Sequence, residues 1–337
     1  MKPISIIGGG LAGLSLGILL RHRSIPVQLF EARKYPRHKV CGEFISGRGL
    51  EALADLGLEP FKLGRPVKTI TFHRGARASK PSSLPQAGLA IARFDLDFAL
   101  AEEFRAVGGD LHCPVRFNAR TPEQGAVFAT GRRLHSESKG KWYGLKAHLT
   151  NVELLSDLEL HFSSNGYVGL CRLDAERTNI CALFRRNPGD EAAPPDRVAH
   201  FKSVASLTRR LEPARWDPES FAAVSGLSLN EAFSPDPDRF AIGDALSMIP
   251  PFSGNGMSVA LESAALAVDP LIAYTSGELS WAEALQSYHS RARARFDRRL
   301  GTAALVQKLA VKPFWTSLFL KATNAFPLWR AIFAATR

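Results

Sequence analysis

Residues 4–33 read ISIIGGGLAGLSLGILLRHRSIPVQLFEAR, and the glycine spacing inside them decides the fold. Ile4–Ile7 is a short apolar run of strand type, and Gly8, Gly10 and Gly13 follow in GxGxxG spacing. Residues 14–20 continue as an apolar helix, and 25–30 form a second strand-like run that ends on Glu31. Each part has a physical reason in a dinucleotide site. Gly8 allows a tight turn, Gly10 lets the backbone approach a pyrophosphate, and Gly13 lets helix and strand pack closely. Glu31, 21 residues after Gly10, is placed to accept hydrogen bonds from a ribose diol. The unit predicts a bound dinucleotide without separating FAD from NAD.

A downstream stretch, DRFAIGDALSMIPPFSGNGMSVALESAALAVDPL at 238–271, points to FAD. Residues 240–242 read as a buried strand that delivers Gly243 and Asp244 at its end. PPFSGNGM then turns into a helix predicted over about 257–266. Gly254 and Gly256 remove side chains where a flat ring would approach the backbone. The free N–H groups of the helix start favour negative charge, which a reduced flavin carries on its N1–C2=O edge. Asp244 is placed to hold ribityl hydroxyls.

GGGLAG (8–13) with Glu31, KVCGEFIS (39–46), ARFDLDFAL (92–100) and GDALSMIPPFSGNGMSVALES (243–263) together resemble a known family. They look like FAD-dependent oxidoreductases of the geranylgeranyl-reductase-like group, within the fold of p-hydroxybenzoate hydroxylase and the flavin halogenases. The segments occur in the family's order and cover roughly 1–60, 90–150 and 235–275. The resemblance implies an α/β fold: a Rossmann-type FAD-binding domain, an inserted and mostly antiparallel β-sheet substrate domain, and a helical C-terminal tail. It divides the chain into an FAD-binding domain (1–60, 90–135, 235–275), a substrate domain (61–89, 136–234) and the tail (276–337). The implied cofactor contacts are Gly8, Gly10, Leu11, Ala12, Gly13, Glu31, Ala32, Arg33, Cys41, Gly42, Arg93, Gly243, Asp244, Pro251, Gly254, Asn255, Gly256 and Met257. Arg93 would start a helix near the FAD, with Asp97 in the same signature. Two departures stand out. Ala129-Thr130-Gly131-Arg132 replaces an Ala-Asp-Gly-Arg type of segment, and 111–127 is short for the usual hairpin.

The remaining chain supplies the second domain and the tail. Residues 67–73, 141–149, 158–163, 166–173 and 178–186 are strand-like, with turns at SSNG and DAER, and a helix is predicted at about 197–211. The tail reads as two or three helices with breaks near Gly301, Pro313 and Pro327. Four scattered cysteines (41, 113, 171, 181) form no CxxC pair and no His/Cys cluster at metal spacing, so no metal is expected and a reducing compartment is. No signal peptide and no membrane-spanning stretch are read, which predicts a cytoplasmic protein. The net charge is +11, and 290–337 holds ten basic residues against one acidic residue. No base-reading or stacking motif accompanies the charge, which argues against nucleic acid. The tail is compatible with a layer packed on the body or with peripheral contact at the inner membrane surface. The sequence leaves oligomeric state open.

Three reactions fit this pattern. First comes reduction of a C=C bond in a lipophilic small molecule by reduced flavin, with NAD(P)H as donor. The alternative is an NAD(P)H- and O2-dependent hydroxylase of an aromatic or polyketide-like substrate, and last a flavin-binding protein without turnover. The WxWxIP hallmark of halogenases is absent. The catalytic candidates are Cys41, as a ring neighbour or proton donor, and Glu43, as a proton relay. Their ordinary readings are a small buried hydrophobe and a loop carboxylate paired with Arg37, Lys39 or Arg48. His38 reads as part of a basic loop, Trp142 and Tyr143 as cavity lining or core, and His73, His148 and His161 as strand residues without evident partners.

Overall fold

Strands far apart in sequence meet on either side of the glycine turn. The structure is a computed structural model that describes residues 1–117, 124–132, 142–186, 196–227, 235–247, 251, 254–310, 312–325 and 328–336. The chain begins β1 (Ile4–Ile7), α1 (Leu11–Arg21), β2 (Val27–Phe30), β3 (Phe44–Ile45), α2 (Arg48–Ala54), α3 (Pro60–Leu63), β4 (Arg65–Arg74), β5 (Arg77–Ala78) and β6 (Ser82–Ala90). It continues through α4 (Arg93–Ala106), β7 (Asp110–His112), β8 (Ala126–Phe128), β9 (Trp142–Thr150), β10 (Leu158–Phe162), β11 (Gly166–Arg172) and β12 (Thr178–Arg185). It closes with α5 (Arg197–Lys202), β13 (Arg215–Leu227), α6 (Gly256–Ser276), α7 (Trp281–Ala310), α8 (Pro313–Ala325) and α9 (Leu328–Ala335).

The first sheet is parallel, in the order β7-β2-β1-β8. Ile4 and Ile6 are fully buried, as expected of a parallel strand covered on both faces by helices. At the turn, Gly8 has φ of +113°, and a Cβ there would meet the Ala129 carbonyl oxygen at 2.3 Å. A Cβ on Gly13 would meet the Gly8 carbonyl oxygen at 2.0 Å, so the third glycine is required by helix–strand contact. The core around this sheet takes in α1, α6 and α7.

The second sheet is mixed and runs β13-β9-β12-β11-β10-β4-β6-β3, with β5 paired to β4. Its neighbours are antiparallel except β10 and β4, which run parallel. One face packs on α5 and residues 204–211, the other on Leu320 and Trp329 of the tail helices.

Several sequence expectations shift. Residues 240–242 form no strand of their own; Phe128 and Ala241 make a single parallel bridge that extends the first sheet. The helix expected over 197–211 stops at Lys202, where Ser203 Oγ donates to the His200 carbonyl and Thr208 Oγ1 to the Lys202 carbonyl. Helix α7 runs straight through Gly301, because burial of Phe296, Leu300 and Ala303 outweighs one exposed glycine. Helix α6 is long and apolar enough to span a bilayer, contrary to the sequence reading, yet most of it is buried inside the protein. It also carries Glu262, which holds Arg299 Nη1 at 2.8 Å with both groups buried. Replacing Arg299 with Ala should lower unfolding free energy in urea by about 3 kcal/mol, since it leaves the buried carboxylate with Arg295, at 3.4 Å, as its remaining ion-pair partner among the described residues; loss under 1 kcal/mol (~fivefold in the folding constant) would contradict this.

Candidate active site

A cavity of about 1080 Å³ opens at the C-terminal ends of β1 and β2, where α/β sheets place their ligands. Gly8, Gly10, Leu11, Ala12, Glu31, Ala32, Arg33, Cys41, Gly42, Glu43, Arg93, Gly243, Asp244, Pro251, Gly254, Gly256 and Met257 all line it. Gly13 and Asn255 do not. Gly13 is consumed by packing against Gly8, and Asn255, buried at the start of α6, donates from Nδ2 to the Thr336 carbonyl. Pro250, Phe252 and Ser253 of PPFSGNGM lie outside the described residues, as do 118–123 within the short 111–127 stretch.

The glycine rim suits a flat, phosphate-bearing group. A Cβ at Gly42 or Gly256 would meet no atom within 4 Å, and one at Gly10 only Lys39 Nζ at 3.6 Å. These positions face open cavity, and the helix starts at Leu11 and Gly256 carry no side-chain cap to compete with an anion. Glu31 accepts from Gly9 N at 3.0 Å and Arg33 N at 2.9 Å, and pairs with Arg37 at 3.1 Å. Its carboxylate therefore fixes the glycine turn while lining the cavity. In the Ala129-Thr130-Gly131-Arg132 segment, Arg132 reaches Asp244 at 3.1 Å and the Val40 carbonyl at 3.0 Å. These residues fit FAD.

Behind the rim sits a buried charge network. Asp97 accepts from Arg93 Nε at 2.7 Å, Arg93 Nη2 at 2.9 Å and Lys39 Nζ at 2.6 Å. Burial works to raise its carboxyl pKa, but the two cations beside it win and hold it at about 2. Arg93 opens α4 with its guanidinium beside Cys41, and its backbone N–H donates to Glu43 Oε1 at 3.1 Å. Burial pushes the Cys41 thiol up although Arg93 pulls the other way, which suits a protonated thiol and not a nucleophilic thiolate.

Glu43 departs most from expectation. None of Arg37, Lys39 and Arg48 pairs with it: Arg37 holds Glu31 and Lys39 holds Asp97. Glu43 is fully buried, takes φ of +54°, and accepts from His148 Nε2 at 2.7 Å with Lys146 Nζ at 3.4 Å. A non-glycine residue in that conformation persists only where its surroundings over-determine it. Lys146 Nζ donates to His38 Nδ1 at 3.0 Å, and the His38 ring stacks on Phe94 at 4.5 Å. His38 is thus no solvated loop residue, and burial with neighbouring Lys146 lowers its pKa to about 4. Ligand atoms of His38, His148 and exposed Asp217 lie within 4.8 Å of one another, carrying the network to the surface.

The other histidines also have partners. His161 Nε2 meets Glu159 at 3.0 Å, His73 lies 3.4 Å from the same oxygen, and Arg210 Nη1 donates to it at 2.8 Å. Two clusters at metal-ligand spacing therefore exist among the described residues, each with a protein cation, Lys146 or Arg210, already beside it. Tyr143 belongs to the core, bonded to His200 at 3.0 Å, and Trp142 packs against the second sheet's inner core. Cys41, Cys171 and Cys181, scattered in sequence, converge on the cavity wall.

Away from the rim the cavity changes character. Its far half is walled by Phe72, Leu160 and Phe162 of the second sheet and by Trp315, Phe319, Trp329 and Phe333 of the tail helices. All charged lining residues (Glu31, Arg33, Arg37, Lys39, Glu43, Arg93, Arg116, Arg132 and Asp244) come from the rim-side segments, and no described lining residue of β10–β13 or the tail helices is charged.

Residues 1–147 match the family model of an FAD binding domain. A 78-residue segment is 35% identical to kynurenine 3-monooxygenase of Dictyostelium discoideum, spanning 21% of this chain and 17% of that protein. The fold is similar to the flavin-dependent brominase Bmp2 at a TM-score of 0.78 and 16% identity, covering 99% of this chain and 93% of that one. A geranylgeranyl bacteriochlorophyll reductase-like protein of Thermoplasma acidophilum superposes at 0.74 and 15% identity, over 97% and 92% of the two chains. PqsL of Pseudomonas aeruginosa, described as a probable FAD-dependent monooxygenase, superposes at 0.64 and 16% identity over 99% of both. The chain is an FAD-binding flavoprotein with a p-hydroxybenzoate hydroxylase-like fold.

Gly42→Val should fold as the parent does but bind FAD about tenfold more weakly, ~1.4 kcal/mol, because its side chain enters open cavity; fluorescence titration of flavin-free protein reads this. The pH dependence of stability has a fixed sign. His38 and His73 both drop from 6.5 to about 4 on folding. The unfolded chain therefore takes up protons first, and their contribution, complete above pH 6.5, is lost as pH falls towards 4. The melting temperature should decline through that window, less steeply in His38→Gln; a flat profile would remove this reading.

Proposed function

We propose that this flavoprotein is an FAD-dependent monooxygenase that hydroxylates an apolar, uncharged small molecule with NAD(P)H and O2. In balance, substrate C–H, O2, NAD(P)H and a proton give substrate C–OH, NAD(P)+ and water. The 78-residue likeness to a kynurenine 3-monooxygenase carries this reading and moves it ahead of C=C reduction, which the sequence had placed first. The likeness to the Thermoplasma reductase-like fold keeps reduction as the second reading, and the finer geranylgeranyl-reductase-like assignment belongs with it. The organisation we assign is a cofactor domain of 1–60, 90–135 and 235–275, a substrate domain of 61–89 and 136–234, and the tail at 276–337. Four free cysteines suit the cytoplasm.

Bound FAD supplies hydride acceptance from the donor and activation of oxygen. The chain's own residues position and protonate. The glycine rim and the two helix starts would hold the phosphates and ring, and Arg93 with Lys39 adds positive potential to the rim while Asp97 balances it. Glu43 sits in the cavity wall with its carboxylate buried against His148, and the contacts run on to Asp217 at the surface, a line of groups able to relay a proton between the site and solvent. Cys41 stays protonated and can donate. The aromatic far half receives the substrate and keeps water out.

The deciding experiment is a single turnover. Protein reduced anaerobically with NADPH is mixed with 18O2 and neutral aromatic or polyketide-like compounds. One labelled oxygen in the product supports hydroxylation; a product gaining two hydrogens without O2 transfers the assignment to reduction; failure of NADH and NADPH to reduce the flavin overturns both. Glu43→Gln should lower kcat on the order of 10²-fold with bound FAD retained.

A further inference from the structure

Helix α8 has two apolar faces, and only one of them is used by the fold. On the inner side Thr316 and Leu320 are buried, and Phe319 meets the Phe72 ring edge-on at 5.0 Å. On the outer side Phe314 is 70% exposed, with Trp315 and Leu318 also exposed. Phe314, Leu318 and Lys321 stand at helical spacings of four and three, so they form one stripe. Leu305 near the end of α7 adds another exposed apolar side chain. Lys308, Lys312 and Lys321, the charged residues of 305–325, are all exposed, and 298–337 contains no Asp or Glu. Trp315 and Leu318 also line the cavity, so the patch lies at the cavity's edge.

We propose that this outer face of α8, with the end of α7, is a docking surface for an anionic phospholipid bilayer. The aromatic stripe enters the headgroup–acyl boundary while the lysines meet lipid phosphates, the division of labour of an interfacial helix. The charge argues for the occupant: an apolar stripe in a segment, 305–325, whose charged residues are all lysines is complementary to an anionic surface. A second copy would set the same three lysines against each other across a two-fold axis. Docking also turns the edge of the cavity between Trp315 and Leu318 towards the acyl chains, a dry route for an apolar substrate. That route rests on the function proposed above; the docking does not.

Flotation of the FAD-loaded protein with vesicles tests docking without reference to turnover. Vesicles of phosphatidylcholine alone should carry little protein, and those containing phosphatidylglycerol should carry most of it. Combined Phe314→Ser, Trp315→Ser and Leu318→Ser should abolish flotation. Because that variant removes cavity-lining groups, each of Lys308→Gln, Lys312→Gln and Lys321→Gln provides a second arm, weakening partition about fivefold. No flotation with phosphatidylglycerol, equal flotation with both vesicles, or a concentration-dependent dimer lost in the triple apolar variant would each overturn the proposal.

Discussion

The carboxylate of Glu43 is the constraint on which the site depends. It has no solvent, and an ionised carboxylate in that position must be met by donors or it costs several kcal/mol (order of magnitude). The donors come from separate pieces of chain: the first N–H of α4, and His148 and Lys146 from β9. Meeting all three bends the backbone at Glu43 into a left-handed conformation, while its own carbonyl accepts from Ile91 at 3.1 Å. The loop carrying Cys41 and Gly42 is thereby fixed between the two sheets, as a wall both halves of the cavity share.

That wall separates two electrostatic regimes. On the rim side, Arg93 and Lys39 would give an uncompensated positive field if Asp97 did not take hydrogen bonds from both. The pairing keeps both cations in place before any anionic ligand arrives, so binding requires little side-chain reorganisation. On the far side no described wall residue is charged, and an unpaired substrate charge would be desolvated without compensation.

The cofactor half was legible because its signals are local. GxGxxG, Glu31 and GNG act through turns and helix starts within a few residues of themselves, and five second-sheet strands, β4 and β9–β12, announce themselves by apolar runs between turns, whereas β3, β5, β6 and β13 carry no such signal. The buried network around Glu43 was not legible, because its contacts are distant. Glu43 and His148 are 105 residues apart, Lys146 and His38 are 108, and nothing in either neighbourhood marks the other as partner. The same distance hid the convergence of Cys41, Cys171 and Cys181. Gly301 failed as a break for a different reason: local propensity is worth about 1 kcal/mol, less than the burial of residues flanking it.

The tail shows how a sequence can pose two readings that the fold makes compatible. A helical layer over the core and an amphipathic face towards lipid look like alternatives when one apolar stripe is assumed. Helix α8 carries two. Its inner stripe closes the second sheet through Leu320 and Phe319, and α9 returns the Thr336 carbonyl to Asn255 and to Arg299 Nε at 3.1 Å. The start of α6, where the cavity-lining glycines Gly254 and Gly256 lie, is therefore tied to the residue that follows α9. The buried Glu262–Arg299 pair adds a second tie, so α6, α7 and the end of α9 are held together beside the cavity by one connected set of hydrogen bonds.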